Sequence, residues 1–277
     1  MKIVITKNYE ELSKVAANEM ADVVKSNPSA ILGLATGGSP IGMYKELIRM
    51  NEAGEIDFSK VTTVNLDEYV GLSGEHSQSY RYFMNDNLFN HINIDKNNTY
   101  VPNGLAEDVE SECKNYDNKI AELGGTDIQL LGIGNNGHIA FNEPDENLVS
   151  GTHLTSLTQD TIEANARFFD SIDEVPKTAL TMGLGGIMKS KKIIVIASGE
   201  SKAEAVKAIN YKGDFMLNEI FLLKCGFEKQ DIAHILNIDE KNFEYVQQGR
   251  LKGNTVFSNF YWEISGLLMT VNSEYFQ

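Results

Sequence analysis

Six short apolar runs recur along the chain, "KIVIT", "AILGLA", "KVTTVNL", "DIQLLGIG", "TALTMG" and "KKIIVIAS", and each is followed by a longer stretch of helical period. A strand that is apolar on both sides must have both faces of its sheet covered, and alternation with helices supplies the cover. The expected fold is therefore α/β, a mostly parallel sheet with helices on both faces. Helical period predicts helices over Tyr9–Val24, Pro40–Met50, Ser79–His91, Ala106–Leu123 and Thr158–Arg167, with another starting at Ser201. No internal repeat or low-complexity linker divides the chain through about residue 208, so that stretch reads as one body.

The remainder differs. All five prolines lie at or before Pro176, and residues 209–277 hold the helical patterns "FMLNEIFLLKCGF" and "QDIAHILNIDEKNFEYV", then the aromatic stretch "FSNFYWEISGLLMTV". The expectation is an atypical helical and aromatic C-terminal segment, packed on the body formed by residues 1–208 or appended to it. Its two helical patterns around "NIDEK" also suit a helix-turn-helix, but the segment is acidic, and apolar helical hairpins more often simply pack.

Charge narrows the partners. A formal net charge of -15 and a pI near 4.8 disfavour nucleic-acid binding, which needs clustered Lys and Arg on the phosphates. An anionic substrate would therefore need a local basic site. Cys113 and Cys225 stand far apart, with no metal-ligand spacing and no disulfide framework. The N-terminal "MKIVITKNYEEL" has neither a secretory nor a transit pattern, and no apolar run reaches bilayer length, so the expected address is the cytoplasm, away from membranes.

Four constellations carry chemistry. In "LGLATGGSPIGMYKEL", a strand ends at Ala35, and Thr36, Gly37, Gly38 and Ser39 precede a helix opened by Pro40. Free amides and a helix dipole at such a turn favour a phosphate, although a plain tight βα turn fits the same residues. In "VNLDEYVGL", Asp67 and Glu68 follow a strand, where one carboxylate suits a proton-abstracting base and where a helix cap is the alternative. In "GIGNNGHIAFNEP", His138 can titrate near neutrality and Glu143 can orient its ring, while Asn135, Asn136 and Asn142 can also merely build the turn. Finally, Arg167 in "EANARFF" and Lys202 in "SGESKAEAV" are cations that can converge on the Thr36–Ser39 turn. No serine or cysteine has nucleophile-elbow spacing, which argues against hydrolysis through a covalent intermediate.

Taken in order, "TGGSPIGMYKEL", "NLDEYVGL", "SYRYFM", "GIGNNGHIAFNEP", "LTQDTIEANARFF", "TMGLGGIM" and "ASGESKAEAVK" resemble the glucosamine-6-phosphate deaminase family, also called glucosamine-6-phosphate isomerase. The resemblance covers residues 1 to about 208 and implies a doubly wound, Rossmann-like sheet. It implies conversion of glucosamine 6-phosphate and water to fructose 6-phosphate and ammonia, with no metal and no organic cofactor. Asp67 would move a proton between C2 and C1, and His138 would open the sugar ring with Glu143 orienting it. Thr36, Gly37, Gly38, Ser39, Arg167 and Lys202 would hold the phosphate. Asn136 stands where some members of the family carry aspartate, which would lower the His138 pKa relative to theirs.

From Ile209 onward the chain departs from the family's usual ending, so the resemblance leaves the tail, a homo-oligomer and allosteric control open. It also leaves two alternatives. One is a sugar-phosphate sensor that binds without turnover; the other is a 6-phosphogluconolactonase-type enzyme on the same fold.

Overall fold

The computed structural model describes residues 2–143, 149–166, 169, 171–203, 205–206 and 267–272. In chain order its strands are β1 (Lys2–Thr6), β2 (Ile31–Leu34), β3 (Thr62–Asn65), β4 (Asp67–Tyr69), β5 (Thr99–Tyr100), β6 (Ile128–Leu131), β7 (His153–Ser156), β8 (Thr178–Thr181), β9 (Ile193–Ala197) and β10 (Leu267–Asn272). The α-helices are α1 (Tyr9–Ser26), α2 (Ile41–Glu52), α3 (Tyr80–Met84), α4 (Val109–Glu122), α5 (Gln159–Ala166) and α6 (Leu184–Met188). The predicted helix over Ser79–His91 is α3 continued by a π-helical turn, Asn85–Phe89.

Seven strands form one parallel sheet in the order β1-β10-β9-β6-β2-β3-β5. Its central strands are buried on both sides: β9 is buried at all five positions and β6 at all four. From β2 the chain winds outward through β3 to β5, and from β6 it winds the other way to β9, so the order reverses between the neighbours β2 and β6. A doubly wound sheet opens a crevice beyond the carboxyl ends of its strands at such a reversal.

Two departures from the sequence reading bear on the site. "TALTMG" does form a strand, but β8 lies in a separate three-stranded antiparallel sheet, β4-β8-β7. An apolar run specifies burial and does not specify the direction of its neighbour. Second, the tail contributes β10, which pairs with β1 on one side and β9 on the other. The run "LLMTVN" was hidden in an aromatic, proline-free context that reads as helix or irregular chain. The tail's two expected helical segments lie outside the described residues.

The main core gathers Leu12, Met20, Leu32, Leu34, Tyr44, Leu47, Val64, Ile128, Leu130 and Ile194 between α1, α2 and the sheet. A smaller cluster, Tyr69, Phe141, Leu157 and Ala179, packs the antiparallel sheet against the loop after β6.

Candidate active site at the carboxyl edge of the sheet

Four adjacent strands, β9, β6, β2 and β3, end on the same edge and each delivers one constellation. After β2 comes Thr36–Ser39, with Gly37 and Gly38 exposed. Gly37 has φ 89°, a left-handed value that side chains resist. Among the described residues none of the four amides from Thr36 to Ser39 donates to an acceptor. Helix α2 begins without a side-chain cap and without an acid in its first turn. By contrast, α1 is capped by Asn8 and carries Glu10 and Glu11, and α4 is capped by Asp108 and carries Glu110 and Glu112. The two sequence-typical helices neutralise their N-terminal dipoles internally, whereas α2 leaves its partial positive charge for an anion.

Two residues beyond β3, Asp67 opens β4 and is only 6% exposed. Burial, with the adjacent Glu68 charge, raises its carboxyl pKa to about 8. Among the described residues no hydrogen bond reaches that carboxylate. Glu68 has a different environment: one oxygen accepts from the amides of Tyr69 (2.8 Å) and Tyr80 (2.9 Å), and the other from Arg81 (2.9 Å). It thereby holds the start of α3, beside the Ser79 cap. The alternative role weighed for this pair, a helix cap, belongs to Glu68.

The loop after β6 brings Asn136, His138 and Glu143 together. Gly134 lets the imidazole lie on the backbone, since a Cβ there would meet the His138 ring at 2.4 Å. His138 Nδ1 is 3.4 Å from Glu143 Oε1, an ion-pair contact too long for an aligned N–H···O bond. Asn136 Nδ2 donates to Glu143 Oε2 at 2.6 Å, and its Oδ1 accepts the His138 amide at 3.2 Å. Asn136 thus acts on the carboxylate and the loop, rather than on the ring as its position in the sequence suggests. Burial lowers the His138 pKa, Lys202 lowers it further, and Glu143 opposes both. The net direction is downward, so the site favours the neutral form of the ring.

The loop is fastened by β8. The Phe141 amide donates to Thr181 Oγ1 at 3.1 Å, and Asn142 Nδ2 donates to the Met182 carbonyl at 2.9 Å. Thr181 is also the backbone partner of Asp67 across β4 and β8. One residue therefore fixes both the strand carrying Asp67 and the loop carrying His138. Immediately before these anchors Ala140 is held at φ 54°, a conformation costing about 1–3 kcal/mol that persists only where neighbours impose it.

Lys202 lies in the short 3-10 turn Glu200–Lys202 after β9, half-buried, and burial lowers its pKa. Its charge is felt at His138. Arg167 lies outside the described residues, one position beyond the end of α5.

A family described as glucosamine-6-phosphate isomerases/6-phosphogluconolactonase has a model that matches residues 6–216. The chain belongs to that family. It is 73% identical over 209 residues to a glucosamine-6-phosphate deaminase of Clostridium perfringens (strain 13 / Type A), covering 76% of this chain and 86% of the relative. A solved structure of a monomeric glucosamine-6-phosphate deaminase superposes with a TM-score of 0.76 at 41% identity, covering 99% of this chain and 98% of that one. A 6-phosphogluconolactonase from Thermotoga maritima superposes with a TM-score of 0.63 at 15% identity over 98% of this chain and 99% of that one, a likeness of fold alone.

In this member of the isomerase/lactonase family, three contributors escaped the sequence reading. Tyr9, at the start of α1, places its hydroxyl 3.1 Å from the Gly38 carbonyl and 3.0 Å from the Ser39 carbonyl, and accepts the Gly42 amide at 2.8 Å. It ties down carbonyls of the turn. Thr158 and Thr161, at the start of α5, reach Glu143 Oε1 at 3.4 and 3.2 Å. None of these contacts links neighbours in the sequence, so no motif announces them. Among the described residues no helix is long and apolar enough to cross a membrane.

Proposed function

We propose that this chain converts glucosamine 6-phosphate and water into fructose 6-phosphate and ammonia. The observation that carries the reading is that Thr181 anchors the carriers of two separate acid-base groups: a buried Asp67 that accepts no hydrogen bond among the described residues, and a His138 backed by Glu143 and Asn136. Isomerisation of an amino sugar needs both. The cyclic substrate must open, which calls for proton transfer at the ring oxygen, and a proton must then move between C2 and C1.

His138 serves the first step. With Nδ1 turned to Glu143, its other nitrogen is left to meet the ring oxygen. Asp67 serves the second: a carboxylate whose pKa has been raised to about 8 by burial is a much stronger base than one in water. The enolamine formed by C2 deprotonation takes the proton back at C1, leaving an iminium at C2 that water hydrolyses to ketone and ammonia. Thr36, Gly37, Gly38 and Ser39 hold the phosphate with their amides, aided by the α2 N-terminus, Lys202 and Arg167. Anchoring the distant phosphate fixes C1 and C2 relative to Asp67.

The substrate is a small sugar phosphate, and the reading assigns the chain to amino sugar catabolism, hydrolase chemistry and the cytoplasm. The reading keeps residues 209–277 as a divergent C-terminal segment, packed on the body of residues 1–208 or appended to it. The lactonase alternative shares the family description, but its solved structure from Thermotoga maritima matches at only 15% identity, and lactone hydrolysis has no use for a base against carbon at Asp67.

The test is ammonia and fructose 6-phosphate formation from glucosamine 6-phosphate by purified full-length protein, with D67N and H138Q alongside. Turnover that falls about 10²–10⁴-fold in each variant is expected. Substrate binding without any ammonia release overturns the enzyme in favour of a sensor.

A further inference from the structure

We propose that Thr161, supported by Thr158, is a positioning residue for the acid-base pair, holding the Glu143 oxygen that faces the imidazole of His138. This inference deepens the functional reading above and rests on it. It begins from the crowding at one atom. Glu143 Oε1 is met by His138 Nδ1 at 3.4 Å, by Thr161 Oγ1 at 3.2 Å and by Thr158 Oγ1 at 3.4 Å, while Oε2 is met by Asn136 Nδ2 at 2.6 Å.

The two threonines have different tasks. Thr158 Oγ1 accepts the Thr161 amide at 3.3 Å, as a residue capping a helix does, and lies 2.9 Å from Thr161 Oγ1. Each hydroxyl has a single proton. The shorter contacts distribute them as a chain: Thr158 donates to Thr161, and Thr161 donates to the carboxylate. A hydroxyl that itself accepts a bond becomes a better donor, and a bond ending on an anion is stronger than a neutral one.

Thr158 and Thr161 are three residues apart and share one face of α5. That face is seated by apolar contacts: Leu157 belongs to the cluster with Phe141 and Tyr69, and Ile162 packs against it. The packing does not need the Thr161 hydroxyl, and neither does the cap. The hydroxyl's remaining described partners are Thr158 and Glu143. By drawing on Oε1, it fixes where that oxygen sits and limits how strongly it attracts the imidazolium. The other charge acting on the ring is Lys202, which disfavours its protonated form.

The experiment compares wild type, T161V and T161S as full-length proteins. Valine removes the hydroxyl at nearly constant shape; serine keeps it and removes the methyl. The first readout is the His138 titration followed by imidazole NMR, assigned through the signal lost in H138Q. T161V is expected to titrate at higher pH than wild type, because Oε1 then loses its nearer hydroxyl donor and keeps only the longer Thr158 contact beside the imidazolium, and T161S to titrate as wild type. The second readout is turnover of glucosamine 6-phosphate, where kcat is expected to fall about tenfold in T161V with KM little changed, and to recover within about twofold in T161S.

An unchanged His138 titration in T161V overturns the inference. So does equal loss in T161S and T161V, which would assign Thr161 to packing. If wild type releases no ammonia, the proposed reaction fails, but the titration still decides whether Thr161 acts on the histidine.

Discussion

Asp67 and Glu68 are neighbours in the sequence with opposite surroundings. Three backbone amides converge on Glu68, while among the described residues no donor reaches Asp67. Burial raises the pKa of both, but the amides that bind Glu68 counter its rise and the charge of Glu68 adds to that of Asp67. The cause is geometric, since successive residues of β4 send their side chains to opposite faces. One face looks toward α3, where fresh helical amides await an acceptor; the other offers nothing to compensate a charge. The difference shows how a fold raises the basicity of an ordinary carboxylate: it withholds hydrogen bonds from one side chain and supplies them to the next.

The sharpest way to break this contrast is to neutralise each carboxylate in turn. D67N is expected to keep the fold and lose about 10²–10⁴-fold in kcat. E68Q is expected to cost about 1–3 kcal/mol of stability in denaturant melts, because the amide replacing the carboxylate accepts through one oxygen where two were in use. Its kcat per folded molecule should fall far less than that of D67N. Equal losses of activity in the two variants would mean that the opposite environments do not separate base from support.

Acidity sharpens the same comparison. The base must be ionised to act, so kcat/KM should climb as pH rises through about 8, and the limb should move to lower pH in E68Q, where the neighbouring charge is gone. Stability runs the other way. Asp67 binds its proton more tightly folded than unfolded, so the fold carries no penalty below the ordinary carboxylate range and loses stability as pH rises toward about 8. Melting curves should therefore show D67N gaining on wild type between pH 4 and pH 8, by about several degrees at the upper end. A constant gap across that range counts against a raised Asp67 pKa.

Much of this was legible beforehand. The six apolar runs all became strands, and the constellations after β2, β3, β6 and β9 emerged side by side, because parallel strands in adjacent positions deliver their following loops to one edge. What stayed hidden depends on contacts between distant segments. Nothing in "NLDEY" tells Asp67 from Glu68 until α3 is in place, and nothing in "KNYEEL" connects Tyr9 with carbonyls 29 and 30 residues away. The antiparallel partner of Asp67, Thr181, was equally beyond reach, since a short apolar run does not record which way its neighbour runs.

Across the crevice, Glu143 repeats the pattern of Glu68, a carboxylate held by donors, of which Asn136 is the nearest at 2.6 Å. N136D removes that donor and sets a second carboxylate against the first. Like charges so close raise the pKa of one of them and favour the imidazolium, so His138 should titrate at higher pH by imidazole NMR and kcat should change by about a few-fold, the smallest of these effects. A titration that stays in place would show that Asn136 only shapes the turn.

The place of β10 has a consequence in time. The strand that precedes the other described strands in the chain, β1, has its described sheet partner in β10, with Lys2 opposite Leu268, and β9 also borders β10. During synthesis the middle of the sheet, from β9 to β5, can assemble as its helices emerge. A gap persists at one side until residue 272 has cleared the ribosome, and β1 must wait beside it with its edge unpaired. Native closure is thus a late event, set by the pairing most distant in sequence among the described strands. The nascent protein is most exposed to aggregation in the interval when its site is nearly formed and its sheet is still open.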